Sequence, residues 1–392
     1  VETLIAWSKI NSGSSNVSGV NKMADAICQY VKARIGCKIK TVAMLKVQDI
    51  SLTGNPISKP VGDALILEKH SQTAHIKILL CGHLDTVFDK EHEFQHPTKI
   101  DEDTLQGPGV TDMKGGILVM LSALEIFEKT PLAKNIAWKV ILTPDEEIGS
   151  LASRELLETS AKDYDLALVY EPSVTTDGVF AKARNGSGNF TVVVHGKSVH
   201  AGREFHKGGN AITAASQAIT QLNAINYLDD KQITINIAQI QAATALNIVP
   251  DKAVFKFNVR FRNDEESLWL QQHIDEIISN INALPNISAS LHGGFTRPAK
   301  PLTPNTEKLF ECLKTVAKQL NLDIKLQDTG GCCDGNNLQA YGLPTIDTLG
   351  VRGANIHSNK EYIILPSLIE RTKLSAVLLL YLANNKNMFN SC

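Results

Sequence analysis

Carboxylate and imidazole side chains follow the apolar runs of this 392-residue chain, mostly within a few residues of the end of a run. These are His83 and Asp85 in CGHLDTV, Asp112 in GPGVTDMKGG, Glu146 and Glu147 in TPDEEIGS, Glu171 in VYEPS and His357 in GANIHSNKEY. Carboxylates that pack into one cleft repel one another strongly unless cations neutralise them. These residue types therefore predict metal binding, provided that the fold brings them together.

Two histidines and three carboxylates form a ligand set for two zinc-like ions, because each ion needs about four nitrogen or oxygen ligands with room for water. A carboxylate shared by both ions, from Asp112, would hold them about 3.5–4 Å apart, as in two-metal hydrolysis. His83 and Asp85 face the same way on an extended backbone, so that Asp85 can accept a proton from the second imidazole nitrogen. The adjacent Glu146 and Glu147 diverge, so that one can bind metal while the other faces the attacking water.

Each motif also has a simpler interpretation. In TPDEEIGS, Thr143 could cap a helix, Pro144 suits the first helical turn, and Glu146 occupies the third position that a capping box requires. A single His-x-Asp pair is more often a surface turn or an ordinary hydrogen bond, and an aspartate beside glycines is usually part of a turn. The joint occurrence of the motifs after successive apolar runs favours the metal site.

The segments that must position these residues alternate between apolar runs and helical patterns. The predicted strands are 76–82, 137–143 and 164–172, and the predicted helices between them are 115–129 and 154–162. Continuous apolar strands separated by helices predict an α/β fold, with a largely parallel sheet covered by helices on both faces. Such sheets bind ligands beyond the carboxyl ends of their strands. The segments at 306–322, 344–350 and 366–385 return to this alternation and complete the same domain.

The pattern changes near Val174. Alternating strands are predicted at 189–200, 232–242, 253–262 and 287–293, with helices at 208–226 and 267–283. This β-α-β-β-α-β order predicts a one-layer sheet backed by two helices, an inserted α+β domain of ferredoxin-like type. We therefore predict a catalytic zinc-binding domain from residues 1–174 and 293–392, and an inserted domain from residues 175–292.

Composition excludes several classes of partner. The chain is 43% hydrophobic and 20% charged, as in ordinary globular proteins, and its length favours two domains. A net charge of −2 without a basic stripe argues against nucleic acid and membrane surfaces, and favours small partners. The start of the chain lacks the features of a signal peptide. We expect a cytoplasmic protein, although the start at Val1 leaves a removed leader open.

The seven cysteines are odd in number and show no CxxC spacing, so that free thiols in a reducing compartment are expected. Adjacent Cys332 and Cys333 could form only a strained ring disulfide and are predicted to be thiols too. A thiol hydrolase that uses Cys81 with His83 is a rival hypothesis, but burial in an apolar run raises the pKa of a thiol and suppresses its reactivity. The remaining histidines, expected to be surface or locally bonded groups, are His70, His75, His92, His96, His195, His206, His273 and His292.

Six motifs, in their order and separations, resemble those of the co-catalytic zinc amidohydrolase family of aminoacylases, glutamate carboxypeptidases, acetylornithine deacetylases and succinyl-diaminopimelate desuccinylases. They are GHLDTV, GPGVTDMKGG, TPDEEIGS, YEPS, HGKSVHAG and GGCCDGNN…GANIHSNKEY. The resemblance covers nearly the whole chain and is closest to the glutamate carboxypeptidases. It implies a zinc-peptidase-like catalytic domain, an inserted lid that often also dimerises, and two zinc ions per chain, with cobalt or manganese as substitutes.

The resemblance also implies a role for each residue of the cluster. These roles are zinc binding by His83 and Glu171 at one ion, zinc binding by Glu147 and His357 at the other, bridging by Asp112, orientation of His83 by Asp85, and general base and acid catalysis by Glu146.

In the inserted domain the resemblance implies contacts with substrate. His200 would stabilise the oxyanion, in dimeric members from the partner subunit, and Asn247 and Arg260 would contact the substrate. Arg297 stands where glutamate carboxypeptidases bind a substrate carboxylate. A strand-edge salt bridge is the alternative role for Arg260, and a salt bridge is also an alternative for Arg297.

The expected reaction is hydrolysis of an amide or peptide bond next to a free carboxylate, in a small peptide that ends in glutamate, by a homodimer. Deacylation of an N-acyl amino acid, of the acetylornithine or succinyl-diaminopimelate type, is the alternative, since it uses the same metal ligands. A non-catalytic relic should have lost a ligand or the base, and all are present here. Cys332 and Cys333 precede Asp334, where the family usually has a small residue or threonine.

Overall fold

The computed structural model describes residues 1–228 and 232–386. The helices are α1 Glu2–Ser8, α2 Val17–Lys32, α3 Lys114–Glu128, α4 Arg154–Ala161, α5 Ala211–Ala224, α6 Asp264–Asn282, α7 Pro304–Gln319, α8 Asp334–Ala340 and α9 Pro366–Asn384. The strands are β1 Lys38–Val42, β2 Val47–Ile50, β3 Pro56–Lys59, β4 Ala64–Lys69, β5 Ile76–His83, β6 Thr98–Lys99, β7 Thr104–Gln106, β8 Ile136–Thr143, β9 Leu166–Val169, β10 Phe180–Arg184, β11 Gly186–His195, β12 Thr234–Gln241, β13 Lys252–Phe261, β14 Ser288–Arg297, β15 Leu326–Thr329, β16 Thr345–Ile346, β17 Gly353–Ala354 and β18 Tyr362–Ile364.

The chain divides into two compact units. The larger unit comprises Val1–Val47, Pro60–Arg184 and Pro301–Cys392, and the smaller unit comprises Gln48–Lys59 and Asn185–Lys300. Of the cysteines predicted to be thiols, Cys392 lies outside the described residues, and the other six form no disulfide. None of the described helices is both long enough and apolar enough to cross a bilayer.

The larger unit is built on a six-stranded sheet of order β1-β4-β8-β5-β9-β16. Strands β8, β5, β9 and β16 are parallel, and β4 runs antiparallel to β8. Successive residues of one strand pack on opposite faces: Ile78 and Leu80 join a large core with α3 and α9, whereas Leu79 and Cys81 join a second core with α4 and α8. The prediction of a largely parallel sheet with helices on both faces is confirmed.

The smaller unit follows the order β11-α5-β12-β13-α6-β14, and its antiparallel sheet has the strand order β12-β13-β11-β14. This is the ferredoxin-like arrangement. One face carries Phe190, Val192, Phe255 and Phe257, which pack against α5 and α6. The opposite face carries polar residues in alternate positions, because side chains in a strand point to alternate sides.

The smaller unit also includes a hairpin from the first part of the chain. Strands β2 and β3 pair with each other, and residues 48–59 cluster with the smaller unit. Asp49 Oδ1 lies 3.0 Å from Lys256 Nζ, and Asp49 Oδ2 accepts a hydrogen bond of 2.7 Å from Lys59. At Gly54, whose φ is +76°, a β-carbon would lie 2.7 Å from Lys252 Cε. The predicted inserted domain at 175–292 does not contain this hairpin.

The boundaries between the two units in the sequence differ from the predicted boundaries at residues 174 and 293. Strand β10 pairs in parallel with β15, so the larger unit extends to Arg184. Strand β14 continues to Arg297 in register with β11, so the smaller unit extends to Lys300. In both places strand pairing, which the local sequence does not reveal, sets the limit of the unit.

Candidate metal centre

Three neighbouring strands of the large sheet, β8, β5 and β9, end at one edge. His83 is the last residue of β5 and is level with Thr143 of β8, and Cys81 is level with Val169 of β9. The chain that continues from each strand carries the next polar residues of the motifs. The parallel sheet therefore gathers these residues beyond its carboxyl edge, as sheets of this type do for their ligands.

Asp112 lies at the centre of the cluster. It is 7% exposed and sits in the loop that leads into α3. Its Oδ1 is 3.1 Å from His83 Nε2, and its Oδ2 is 3.2 Å from His357 Nε2. The two oxygens of one carboxylate thus face two different imidazoles, which is the arrangement of a carboxylate that bridges two cations.

Two further glutamates complete the cluster. His357 Nε2 lies 3.2 Å from Glu147 Oε2, and His83 Nε2 lies 3.9 Å from Glu171 Oε1. Glu147 Oε1 and Glu171 Oε1 are buried without a hydrogen-bond partner among the described residues. Ligand atoms of His83, Asp112 and Glu147 all lie within 4.8 Å of one another. Buried acceptors without donors are costly unless a cation is bound, so the donor set fits divalent metal ions.

His357 lies in the loop between β17 and β18 and adopts a φ of +63°. Few residues other than glycine adopt this left-handed conformation. Backbone strain of this kind is typical of functional loops. Its side chain is 52% exposed, whereas that of His83 is 1% exposed, so that the cluster is open on the side of His357.

The electrostatics of the cluster favour positive charge. Hydrogen bonds with Asp112 and Glu147 raise the pKa of His357 to about 11. Burial lowers the pKa of His83, but hydrogen bonds to Asp112 and Asp85 outweigh it, and the pKa lies well above its usual value. For Asp112, burial alone would raise the pKa. The hydrogen bonds with His357 and His83 outweigh burial, and the pKa of Asp112 lies below its usual value.

Burial has the opposite result for the two glutamates. It raises the pKa of Glu147 to about 8, with a further contribution from the charge of Asp112, and it raises the pKa of Glu171 well above its usual value. Protons on Glu147 and Glu171 reduce the negative charge of the cluster. A divalent cation supplies the same neutralisation and displaces the protons.

Asp85 does more than orient His83. The imidazole Nδ1 lies 2.9 Å from the backbone carbonyl of Asp85 and 3.4 Å from its carboxylate Oδ1. The carboxylate accepts hydrogen bonds from the backbone amides of Glu146 and Glu147, at 3.1 and 3.2 Å. It also accepts a 2.6 Å hydrogen bond from the hydroxyl of Ser14. Asp85 therefore fixes the turn that carries both glutamates.

The stretch TPDEEIGS is not a capped α-helix. Residues Glu146–Ile148 form a single 3-10 turn, and the hydroxyl of Thr143 donates to Asp334 Oδ2 at 2.7 Å instead of capping it. Asp145 is buried and accepts hydrogen bonds from the hydroxyl of Ser153 at 2.6 Å and the amide of Ala152 at 2.7 Å. Burial raises the pKa of Asp145 to about 6. The helix-cap interpretation is wrong. Of the three acids, Glu147 lies beside His357, and the charge of Glu146 contributes to the raised pKa of Glu147 and Glu171.

Glu361 is a supporting residue that the sequence analysis missed. It is 1% exposed and accepts hydrogen bonds from the backbone amides of Gly109 at 3.2 Å, Thr111 at 2.8 Å and Asp112 at 3.1 Å. Burial raises its pKa to about 7. It holds the loop that presents Asp112. In the sequence, its position four residues after His357 is the feature that could have indicated this supporting role.

Residues 79–381 match a model of the peptidase family M20/M25/M40. The chain belongs to this family. The match includes every residue of the metal cluster and confirms the resemblance drawn from the six motifs. Membership identifies the chain as a hydrolytic enzyme, a metal-dependent peptidase or amidohydrolase.

Individual relatives of this M20/M25/M40 peptidase differ in their names. Carboxypeptidase G2 of Pseudomonas sp. (strain RS-16) is 29% identical over 313 residues, which cover 79% of this chain and 74% of that protein. Succinyl-diaminopimelate desuccinylase of Verminephrobacter eiseniae (strain EF01-2) is 26% identical over 324 residues, 78% of this chain and 79% of that protein. A tripeptidase from Staphylococcus aureus has a TM-score of 0.77 at 20% identity, over 98% of each chain, and shows the shared fold.

The M20/M25/M40 peptidase does not use Cys81 as a nucleophile. Cys81 is completely buried, and its sulfur lies 4.0 Å from Asp334 Oδ2. Burial, reinforced by the charge of Asp334, raises the pKa of the thiol well above its usual value. Asp334 is itself buried and accepts from the hydroxyls of Thr143 and Ser150, which ties α8 to the end of β8.

The four residues predicted to contact substrate all lie in the smaller unit. His200 is exposed, and its Nδ1 accepts a hydrogen bond of 3.1 Å from the amide of Gly202. Asn247 is exposed, and its carbonyl accepts from the amide of Ala201. Arg260 is half-buried near the end of β13, and Arg297 is 3% exposed at the end of β14.

Arg260 and Arg297 occupy one level of the sheet. Both are in register with Ser187 of β11, which lies between their strands. Residues directly opposite each other in an antiparallel sheet point to the same face, and two strand spacings separate the two arginines by roughly 9.6 Å. Arg260 Nε donates to Asn258 Oδ1 at 3.0 Å, a neighbour on that face.

Among the described residues, none of the remaining eight histidines named above belongs to the group of potential metal ligands.

Proposed function

We propose that the protein uses two zinc ions to hydrolyse an amide or peptide bond next to a free carboxylate, in the manner of a glutamate carboxypeptidase. One observation carries the proposal: the two carboxylate oxygens of Asp112 face His83 and His357 separately, at 3.1 and 3.2 Å. A single ion needs only one of these pairs. The second pair has its own acidic neighbour, Glu147, just as the first has Glu171.

In this proposal His83 and Glu171 would hold one ion, His357 and Glu147 would hold the other, and Asp112 would contribute to both sites. When bound, such an ion pair lowers the pKa of a water molecule and polarises the carbonyl oxygen of the substrate. The protein residues supply orientation and proton transfer.

Glu146 is the proposed general base and acid. It is half-buried, next to the ligand Glu147, and the hydrogen bond from its amide to Asp85 fixes its backbone. A carboxylate in this position can take a proton from the attacking water and return it to the leaving amine. Neither Asp145 nor Asp334 is suited to this task, because hydrogen bonds from hydroxyls and amides already occupy their oxygens.

Arg260 and Arg297 are proposed to bind the free carboxylate of the substrate. Their shared level on the sheet face supports this role, because a carboxylate can accept from two guanidinium groups at once. A substrate that ends in an acidic residue such as glutamate has two carboxylates at that end, so it gains the most affinity from the two arginines. The relative named carboxypeptidase G2 supports the assignment as a carboxypeptidase.

His200 and Asn247 are proposed to contact the reacting group, His200 by stabilising the oxyanion. Because His200 is exposed in the described chain, a homodimer in which it serves the partner subunit is part of the proposal. The smaller unit would then act as a lid and dimerisation domain.

A second candidate function is the deacylation of N-succinyl or N-acetyl amino acids. Several relatives at 26–28% identity carry the name succinyl-diaminopimelate desuccinylase, and these names favour this candidate. Such substrates also present an amide flanked by a carboxylate. The metal cluster therefore serves both reactions equally, and only the pocket for the rest of the substrate can distinguish them.

The test combines metal content with a substrate panel. Protein purified without chelator should contain about two zinc ions per chain, and removal of metal should abolish activity that zinc or cobalt restores. Dipeptides that end in glutamate should exceed N-acetylornithine and N-succinyl-diaminopimelate at least about tenfold in kcat/KM. The reverse ranking would reject the carboxypeptidase assignment and leave the metal reaction intact. Full activity with one ion per chain would reject the two-metal reaction.

A further inference from the structure

A short segment near the N-terminus contacts two loops of the candidate metal centre, the loop that presents Asp112 and the loop that follows His83. This segment, residues 8–14, is here called the N-terminal strap. The hydroxyl of Ser8 donates to the carbonyl of Pro108 at 2.9 Å, and Lys114 Nζ donates to the carbonyl of Ile10 at 2.8 Å. These contacts anchor the strap to the two sides of the loop that presents Asp112.

The other end of the strap reaches the loop after His83. The amide of Thr86 donates to the carbonyl of Ser12 at 2.9 Å, and the amide of Ser14 donates to the carbonyl of Thr86 at 3.1 Å. Between these bonds the strap runs beside residues 85–86. A β-carbon on Gly13 would lie only 2.3 Å from the carbonyl oxygen of Phe88, so the strap approaches this loop as closely as glycine permits.

Ser14 is the one strap residue described here whose side chain bonds to a residue of the catalytic cluster. Its hydroxyl donates to Asp85 Oδ2 at 2.6 Å, and the serine is only 9% exposed. The same oxygen accepts from the amide of Glu147, while Oδ1 accepts from the amide of Glu146. A hydrogen bond to a charged carboxylate is shorter and stronger than a neutral one.

We propose that Ser14 is a positioning residue of the active site. Its hydroxyl fixes the rotation of the Asp85 carboxylate, so that each oxygen faces one amide of the turn 146–147. Without that donor the carboxylate can rotate about its final bond, and the turn loses its fixed acceptors. The role in catalysis rests on the proposed function, since it acts through Glu146 and Glu147, but the effect on the turn does not.

Neither the six motifs nor the family match assigns Ser14, because the match begins at residue 79. The chain supplies a matched control. Ser12 lies two residues earlier in the same strap, is completely buried, and its hydroxyl has no hydrogen-bond partner among the described residues. Ser12→Ala therefore removes the same group from the same strap without touching Asp85.

The first test measures the turn itself, by hydrogen exchange of the amides of residues 146 and 147 in the metal-free protein. Ser14→Ala should exchange about tenfold faster at these amides than the wild type, and Ser12→Ala should match the wild type. Ser14→Thr, which keeps the hydroxyl, should also match it. Equal protection in Ser14→Ala and Ser12→Ala would overturn the proposal, whatever the protein catalyses.

The second test links the turn to the reaction. Ser14→Ala should lower kcat about tenfold with little change in KM and should weaken zinc binding, as is typical of residues that support metal ligands. In an Asp85→Asn background the same substitution should have almost no further effect, because the two residues act as one unit. Additive losses would show that Ser14 acts only through general stability and would overturn the proposal. A wild type that hydrolyses no substrate would reject the proposed function, and the exchange data would still decide the role of Ser14.

Discussion

The larger and the smaller unit use strands in different ways to assemble functional side chains. In the larger unit the side chains lie beyond the ends of parallel strands, are mostly buried, and are rich in carboxylates. In the smaller unit Arg260 and Arg297 lie in one register on one face of the antiparallel sheet, whereas His200 and Asn247 lie outside its strands. The first arrangement concentrates negative charge, as the proposed binding of cations requires. The second spaces two positive charges, as the proposed binding of a substrate carboxylate requires.

The difference teaches how to separate reaction from recognition in this protein. Residues at the strand ends are held by a surrounding set of hydrogen bonds, such as those that Asp85 and Glu361 accept from backbone amides. Such support makes geometry rigid, and rigid geometry matters most for the chemical step. We expect the two arginines on the sheet face to contribute mainly to substrate affinity, because a guanidinium group binds a carboxylate of the substrate and takes no part in bond cleavage. Two substitutions test this division, and a third tests the stability of the hairpin, which belongs to neither set of residues.

The largest effect is expected for Glu146→Gln. Loss of the general base should lower kcat about 10³-fold, while the zinc content and the fold are retained, because Glu146 is not a proposed ligand. Steady-state kinetics together with elemental analysis measures both. Glu158→Gln, at a partly exposed site of α4 outside the metal cluster, is the control and should leave kcat unchanged. A Glu146→Gln enzyme within tenfold of the wild type would contradict the assignment of the base.

An intermediate effect is expected for Arg260→Lys. A lysine keeps the charge but loses the planar fork, so that KM for a glutamate-ended dipeptide should rise about tenfold with kcat nearly unchanged. Arg262→Lys, at an exposed position just after β13, is the matched control. If Arg260→Lys lowered kcat as strongly as Glu146→Gln, the division between reaction and recognition would fail.

The smallest effect is expected for Asp49→Asn, and it concerns stability alone. Burial raises the pKa of Asp49, but hydrogen bonds from Lys59 and Lys256 outweigh it and lower the pKa below its usual value. A lowered folded-state pKa means that the stabilisation is present above the unfolded value of about 4 and is lost as the pH falls through the folded value. Asp49→Asn should cost about 1 kcal/mol at neutral pH.

Calorimetry of wild type and Asp49→Asn at pH 7 and near pH 3 checks this expectation. The difference between the two proteins should shrink at the lower pH. A difference that stays constant with pH would mean that the charge of Asp49 contributes nothing, and that the hairpin is held by packing. Activity at pH 7 should be the same in both proteins, since Asp49 belongs to neither set of functional residues.

Three residues of the site could be predicted from the strands alone. His83 ends a buried strand, and Glu147 and Glu171 follow two others within four residues, and a parallel sheet brings such positions together whatever the details of packing. Asp112 and His357 lie in loops and were predicted from their motifs. Glu361 and Ser14 could not be predicted, because each acts through hydrogen bonds to segments 71 residues or more away in the chain. A serine in a turn-rich stretch carries no local signal for such a bond.

The fold shows the same limit. Strands with continuous apolar sequence, such as β5 and β8, were predicted within one residue at each end. Strands β1 to β3 are short and largely exposed, so their sequences lack both the apolar run and a regular alternation. The assignment of the hairpin 48–59 to the smaller unit depends on partners such as Lys256, which local pattern cannot indicate.

The hairpin has a consequence for how the protein is made. Asp49 and Lys256 are separated by 207 residues, so the hairpin leaves the ribosome long before the strand it will bind. At synthesis rates of about 5–20 residues per second, it waits roughly 10–40 s for β13. During that time neither unit can be completed, because each still lacks segments that come later in the chain. The smaller unit has all of its residues once Lys300 has been made, whereas the larger unit also needs residues 301–392. The larger unit therefore begins the chain but is the last to be completed.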